Sequence, residues 1–414
     1  IKNKPKSMRF VIAFGLLQNL FADKGRNRMR RKSQFVRRRL LLWAAAVIFV
    51  TALAACGTER HVNTNTASGM HIAMITDAGN ITDHGFNQTA YEVCSNWADI
   101  NDIPFAYYMP EQDSDEARNA SIDQAAAEGA NIIILPGYVF ASAIVTQPER
   151  YPEIKFVALD VSAEDIIDKG GKEGVHEANV YCCTYQEEIS GYMAGYAAVK
   201  SGYRHLGFLG GMSVPAVKRY GYGYLQGIDD AAVQLGIAER VEVEYLYGGQ
   251  FYGDENITDT MDTWYQTMGV EVVFACGGKI YTSAAEAAAR AGGKVIGVDS
   301  DQQPVIDGAY GQGITVTSAM KGLSSTINRV LTGIRDGNWA QFAGKIENLG
   351  IVTDNADENY VQLPIRTTQW TGGFKEKDYR ALVKELYTGR ITVSDEISAM
   401  PATTVHVTDH GSIQ

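Results

Sequence analysis

Histidine and cysteine are scarce in this chain of 414 residues, with seven of the first and five of the second. Cys94, Cys182, Cys183 and Cys276 fall at spacings that suit no zinc site, and adjacent cysteines such as Cys182 and Cys183 rarely pair with each other. All four read as small buried residues, with one disulfide left open. The sequence also lacks G-x-S-x-G, H-E-x-x-H, a Walker loop and P-C-x-x-C. His84 lies near Asp77, but no nucleophile accompanies it. The expectation is a protein with no catalytic residues, no metal ion and no cofactor. Basic charge is missing from most of the chain as well. Residues 1–55 hold thirteen Lys or Arg and a single acid, Asp23, which leaves 24 basic and 47 acidic residues from position 56 onward. A body that acidic repels phosphate backbones, so no nucleic-acid partner is expected.

The basic residues near the start have a different use. Met29-Arg30-Arg31-Lys32 and Arg37-Arg38-Arg39 precede an uncharged apolar run, Leu40–Ala55, and then Cys56. Sixteen residues are short for a spanning helix, which needs ~20, and the run ends in small residues as a signal peptide does. Leu53-Ala54-Ala55-Cys56 resembles the lipobox of bacterial lipoproteins, which implies cleavage before Cys56 and lipidation of that residue. Residues 29–55 are therefore expected to be a lipoprotein signal peptide and 1–28 a non-native upstream extension, with Met29 the better start. The polar, aperiodic stretch 56–68 reads as a tether. The alternative is an uncleaved anchor helix. In both cases the body sits at the extracytoplasmic face of the cell membrane.

From residue 69 onward, short apolar runs alternate with helical stretches. Strands are expected at His71–Thr76, Pro104–Met109, Asn131–Leu135 and Lys155–Leu159, with helices near Gly85–Trp97, Asp115–Glu128 and Val139–Glu149 between them. The alternation restarts with helices near Glu187–Lys200 and Val214–Leu235 and a strand at His205–Leu209. Further strands are expected at Val241–Tyr247, Glu271–Ala275, Lys294–Val298 and Gly313–Thr317, and further helices near Glu255–Met268, Ser283–Ala291 and Ala319–Asp336. This pattern implies an α/β fold of two lobes, each a parallel sheet flanked by helices, with a hinge between them and ligand held at the carboxyl ends of strands. Lobe 1 is expected to take 69–184 plus about 300–327, and lobe 2 to take 185–299 plus about 328–414.

Several loops at those strand ends carry chemistry. Met74–Asn80 followed by Asp83–Gln88 is a strand leading through a polar loop into a helix. Asp77 there is a hydroxyl acceptor or a turn former, and Phe86 an aromatic face. Phe156–Asp160 ends an apolar strand in a carboxylate. Gly207–Met212 lacks the full spacing of a phosphate-binding loop. Tyr247–Asp254 sets Phe251 and Tyr252 among glycines, either as ligand platforms or as plugs on the core. Gly277 lets backbone approach a ligand closely. Asp299 and Asp301 are neighbours on one loop rather than converging groups, which fits a hydroxyl clamp better than acid–base chemistry. Lys321 is either a surface lysine or a ligand contact.

Eight ordered blocks across roughly 71–330 resemble the basic membrane protein family of lipoproteins, within the type I periplasmic-binding-protein folds. They are ITDAGNITDHGFNQTAYE, KFVALD, YQEEISGYMAGYAA, GFLGGMSVPAVKRYGYGYLQGIDDA, YGGQFYGD, CGGKIYTSAAEAA, VIGVDSDQ and TSAMKGLSSTI. The resemblance implies a monomeric receptor that passes purine nucleosides to the permease and ATPase of an ABC importer. It also implies ligand-binding roles for Asp77, Phe86, Asn87, Asp160, Phe251 or Tyr252, Gly277, Asp299 and Lys321, with two rings sandwiching the base. The sequence departs from the family at His84-Gly85 and at Lys279-Ile280-Tyr281, the second of which bears on base preference. A receptor for another small ligand such as a sugar, or a ligand-sensing lipoprotein without transport, are the alternatives.

Overall fold

Runs of branched aliphatic residues set the sheets, because strands covered by helices on both faces must be apolar on both. The computed structural model describes residues 69–413 apart from Ala78 and 173–176. The expected extension, signal peptide and tether, with Cys56, lie outside the described residues. The chain begins with β1 (Ile72–Ile75), α1 (Phe86–Asn101), β2 (Phe105–Tyr108), α2 (Asp115–Ala127), β3 (Ile132–Pro136), α3 (Ala141–Arg150), β4 (Lys155–Leu159), α4 (Ala163–Asp168) and β5 (Val180–Tyr185). It continues with α5 (Glu187–Ser201), β6 (His205–Gly210), α6 (Pro215–Gln234), β7 (Glu242–Tyr247), α7 (Glu255–Asp262), β8 (Val272–Cys276), α8 (Tyr281–Ala291), β9 (Lys294–Asp299), α9 (Gln303–Tyr310) and β10 (Thr315–Lys321). The last elements are α10 (Leu323–Arg335), β11 (Lys345–Leu349), β12 (Val361–Gln362), α11 (Glu376–Tyr387) and β13 (His406–Ser412).

Two sheets result. The first runs β11-β5-β4-β3-β1-β2 and the second β12-β10-β9-β8-β6-β7-β13. Pairing is parallel except between β10 and β12, where Met320 faces Gln362. Alternate residues of the first sheet feed two cores. Ile72, Ile134 and Tyr181 pack under α1 and α10, while Ala73, Ile133 and Phe156 face α2 and α3. Local chemistry starts the helices. Asp83 accepts from the backbone N–H of Gly85, Asn87 and Gln88 at 2.9–3.0 Å and so caps α1, while Ser114 caps α2 and Asp254 caps α7.

The assignment of 300–327 to the first lobe needs correction. Thr315–Lys321 pairs with β9 in the second sheet, and α10 starts at Leu323, four residues later than the expected start at Ala319. The chain crosses back one element later. α10 packs into the first lobe's core, and β11 pairs with β5, with Lys345 opposite Tyr181. β12, α11 and β13 then return to the second lobe. Three connections therefore run between the lobes, and two are stitched together where Gln186 donates its N–H to Leu349 O at 3.0 Å. The Gln186 side chain fills the space beside Gly350, where a Cβ would lie 1.4 Å from Gln186 Oε1.

The close pairing of α5 with α6 matters most for the site. Glycines let the two backbones touch. A Cβ at Gly223 would lie 1.9 Å from Glu188 O, and one at Gly191 would lie 2.1 Å from Tyr220 O. This contact sets the first turns of both helices side by side and brings Arg219 against Glu187. Cys94, Cys182, Cys183 and Cys276 are free and buried. Among the described residues, no helix is long and apolar enough to cross a membrane.

Candidate ligand-binding cleft

Strands of both sheets end at a cavity of about 500 Å³ lined from both lobes. All nine residues singled out in the sequence line it: Asp77, Phe86, Asn87, Asp160, Phe251, Tyr252, Gly277, Asp299 and Lys321. Asp160 follows β4 and Asp299 ends β9, and both have left-handed backbone, with φ of 61° and 64°. Aspartate tolerates that region better than most residues, and the bend turns each carboxylate off its strand end.

Lys321 ends β10 with a side chain only 3% exposed. Its Nζ lies 2.5 Å from Asp160 Oδ2 and 3.5 Å from both Glu187 Oε1 and Asp299 Oδ1. Burial lowers its hold on the proton, but the Asp160, Asp299 and Glu187 carboxylates outweigh burial and hold the ammonium well above the usual lysine range. The Nζ also sits 4.7 Å from the centre of the Phe86 ring. Arg219 donates from Nε to Glu187 Oε2 at 2.7 Å, and Tyr220 donates its hydroxyl to Asp299 Oδ1 at 3.3 Å. Three carboxylates thus share two cations. Burial raises Asp160 and Asp299, Glu187 adds to the rise, and Lys321 opposes it. Among the described residues, Asp160 Oδ1 is buried without a partner.

The other end of the cavity is built on β1 and α1. Asp77 Oδ1 accepts from Gly79 N at 2.5 Å and from Asn87 Nδ2 at 2.9 Å. Burial pushes the Asp77 carboxyl up to about 6, against the pull of those two bonds. Phe251 is held in the wall by glycines, since a Cβ at Gly211 or Gly277 would lie 2.5 or 2.9 Å from its ring. That is the physical use of Gly211, while a Cβ at its neighbour Gly210 would instead meet Tyr247 and Phe208. Tyr252 is 60% exposed beside it. Arg219, Tyr220, Tyr138 and Lys279 also line the cavity and were not selected from sequence. Arg219 and Glu187 are 32 positions apart and meet only through helix packing, so no spacing motif announces them.

The family model described as ABC transporter substrate-binding protein PnrA-like matches residues 70–364. The chain belongs to this family. PnrA-like proteins are substrate-binding proteins and not enzymes, and they serve ABC transporters outside the cytoplasm together with permease and ATPase subunits. The ABC transporter nucleoside-binding protein BmpA of Lactococcus lactis is 28% identical over 369 residues, covering 84% of this chain and 97% of its own length. Basic membrane protein B of Borreliella burgdorferi is 23% identical over 315 residues, covering 73% of this chain and 84% of its own. Among solved structures, the solute-binding protein of an Aeropyrum pernix ABC transporter system superposes with a TM-score of 0.62 at 19% identity, covering 79% of this chain and 94% of its own. The fold of this PnrA-like chain is that of the type I periplasmic solute-binding proteins.

Proposed function

We propose that the chain is a lipid-anchored monomeric receptor that binds a purine nucleoside in this cleft and delivers it to an ABC importer. The supporting observation is that one cavity joins two rings from different lobes, Phe86 and Phe251, with the buried Lys321, Asp160 and Asp299, behind which Glu187 contacts Lys321. A purine offers two π-faces, and stacking on one ring contributes ~1–3 kcal/mol per base. Ribose offers hydroxyls that both donate and accept, which matches the buried cluster in which the Lys321 ammonium meets three carboxylates. A bare hexose would satisfy the carboxylates and leave one ring without a planar partner. The nucleoside-binding name of the Lactococcus lactis relative supports the same reading.

The ligand role of all nine lining residues is part of this proposal, and of the two loop aromatics Phe251 is assigned the stacking. Release of small molecules from the purified, denatured full chain, read by mass spectrometry, tests the ligand class. A purine nucleoside is expected, and a hexose in its place would overturn the reading. The anchor is tested separately. Cys56→Ser should abolish palmitate labelling and membrane retention, and labelling that persists in the variant would overturn it.

A further inference from the structure

The two ends of the cavity differ in hydrogen-bonding sense. Asp160 follows β4 and Asp77 follows β1, with β3 between those strands, so the two carboxylates stand ~10 Å apart across the sheet. The Asp160 end is mixed, with Lys321 donating and Asp160 Oδ1 and Asp299 accepting. Ribose hydroxyls suit a mixed end. The first-lobe wall at the Asp77 end offers mainly acceptors. Asp77 Oδ1 already takes two N–H groups, and no described residue donates to Oδ2. Asn87 Nδ2 donates to Asp77 Oδ1 at 2.9 Å and to Asp83 Oδ2 at 3.2 Å. Those two carboxylates fix the amide, because the reversed group would set its oxygen against both. Among the described residues, Asn87 Oδ1 is then buried without a partner, on a residue only 3% exposed. The remaining ionisable side chains that the first lobe contributes to the cavity include Asp83, Asp113 and Asp165, with Tyr138 also on that wall and no Lys or Arg among them.

We infer that the Asp77–Asn87 end reads a base edge carrying two adjacent hydrogen-bond donors, so that the preferred ligand is a guanine nucleoside and adenosine is disfavoured. The inference rests on the purine-nucleoside reading above. Guanine presents N1–H and N2–H side by side to Asp77 Oδ2 and Asn87 Oδ1. Hypoxanthine presents only N1–H. Adenine alternates, and its N1 lone pair would face an acceptor while only the exocyclic amine donates. The wall therefore ranks guanosine above inosine and inosine above adenosine.

Calorimetric titration of the full chain at mildly alkaline pH with guanosine, inosine, adenosine and 1-methylguanosine tests the ranking. Guanosine should bind at least about tenfold more tightly than adenosine or 1-methylguanosine, the scale of one two-point contact to a base edge. Asp77→Asn replaces an acceptor with a group that also donates. It should weaken guanosine by about tenfold or more while changing adenosine by less than about threefold. If the variant does not fold, the wild-type comparison of guanosine with 1-methylguanosine decides by itself. Adenosine binding as tightly as guanosine overturns the edge inference and leaves the purine-nucleoside reading standing. Binding of none of the four overturns both.

Discussion

Asp160 and Asp299 hold equivalent places in the two lobes, each turned off a parallel strand by left-handed backbone. That conformation separates a scaffold role from a ligand role. Glycine adopts positive φ without strain, so Asp299→Gly should fold at least as well as Asp299→Ala while losing the same carboxylate. Both variants should weaken ribonucleosides by ~1–3 kcal/mol, because sugar hydroxyls lose a buried acceptor, and leave weak free-base binding nearly unchanged. Equal fractional losses for nucleoside and free base, with a large fall in melting temperature, would return Asp299 to the scaffold. The aromatic prediction differs in kind. Removing Phe86 or Phe251 should cost ~1–3 kcal/mol for nucleosides and free bases alike. Tyr252→Ala should cost much less, because Tyr252 is mostly exposed and not seated by glycines.

Asp77 adds a pH dependence at the same scale. Its carboxyl, raised to about 6 by burial and by nearby Asp83 and Asp113, faces the Gly79 amide, the Asn87 amide and the Tyr138 wall. With Oδ1 engaged by Gly79 and Asn87, protonation falls on Oδ2 and turns the acceptor for the ligand N1–H into a donor. Guanosine affinity should therefore be level above about pH 7 and fall as pH drops through 6, and Asp77→Asn should remove that fall.

Helix α5 against α6 is the contact on which the cleft depends at the level of elements. Gly191 and Gly223 hold the two backbones together, and the first turns then set Glu187 between Lys321 and Arg219. Gly223→Ala should destabilise by ~1–3 kcal/mol through overpacking, read as a lower denaturation midpoint. It should also weaken ligand binding, although Gly223 does not line the cavity. An unchanged midpoint would show that the helices have slack the structure denies.

Element by element, legibility followed burial. The strand expected at Lys155–Leu159 matches β4 at both ends, because a continuous apolar run bounded by polar residues has few other uses. β5 escaped notice. Its residues Val180–Tyr185 mix tyrosines, cysteines and a threonine, and aliphatic periodicity gives no signal there. The α10 start was misplaced because Ala319 and Met320 suit a helix, while pairing with β9 and β12 keeps them in a strand. The cavity-lining residues at strand ends were visible because carboxyl ends of strands face the cleft in α/β sheets. Glu187, Arg219 and Tyr220 were not, since tertiary packing alone unites them.

Across the whole molecule, burying acids without enough cations sets the stability profile. Burial and the neighbouring Glu187 push Glu188 up to about 8, Asp77 stands at about 6, and Asp160 and Asp299 are raised. Each of these folded-state values exceeds the unfolded one, so the folded protein holds more protons between about pH 4 and 8. The stability these groups contribute is present at the acidic end of that window and is lost as pH rises through it. The unliganded chain should melt at a higher temperature near pH 6 than near pH 8, and Glu188→Gln should flatten that difference. A melting temperature that rises over the same interval would contradict the burial of Glu188.

The central claim is that both lobes close on a base and a ribose held as one ligand. Calorimetric titration of the full chain with guanosine, its free base, ribose and a hexose tests that claim most directly. The account predicts one site per chain, with guanosine bound more tightly than free base by at least about tenfold and ribose and hexose bound more weakly still. Ribose or a hexose binding as tightly as guanosine would contradict it.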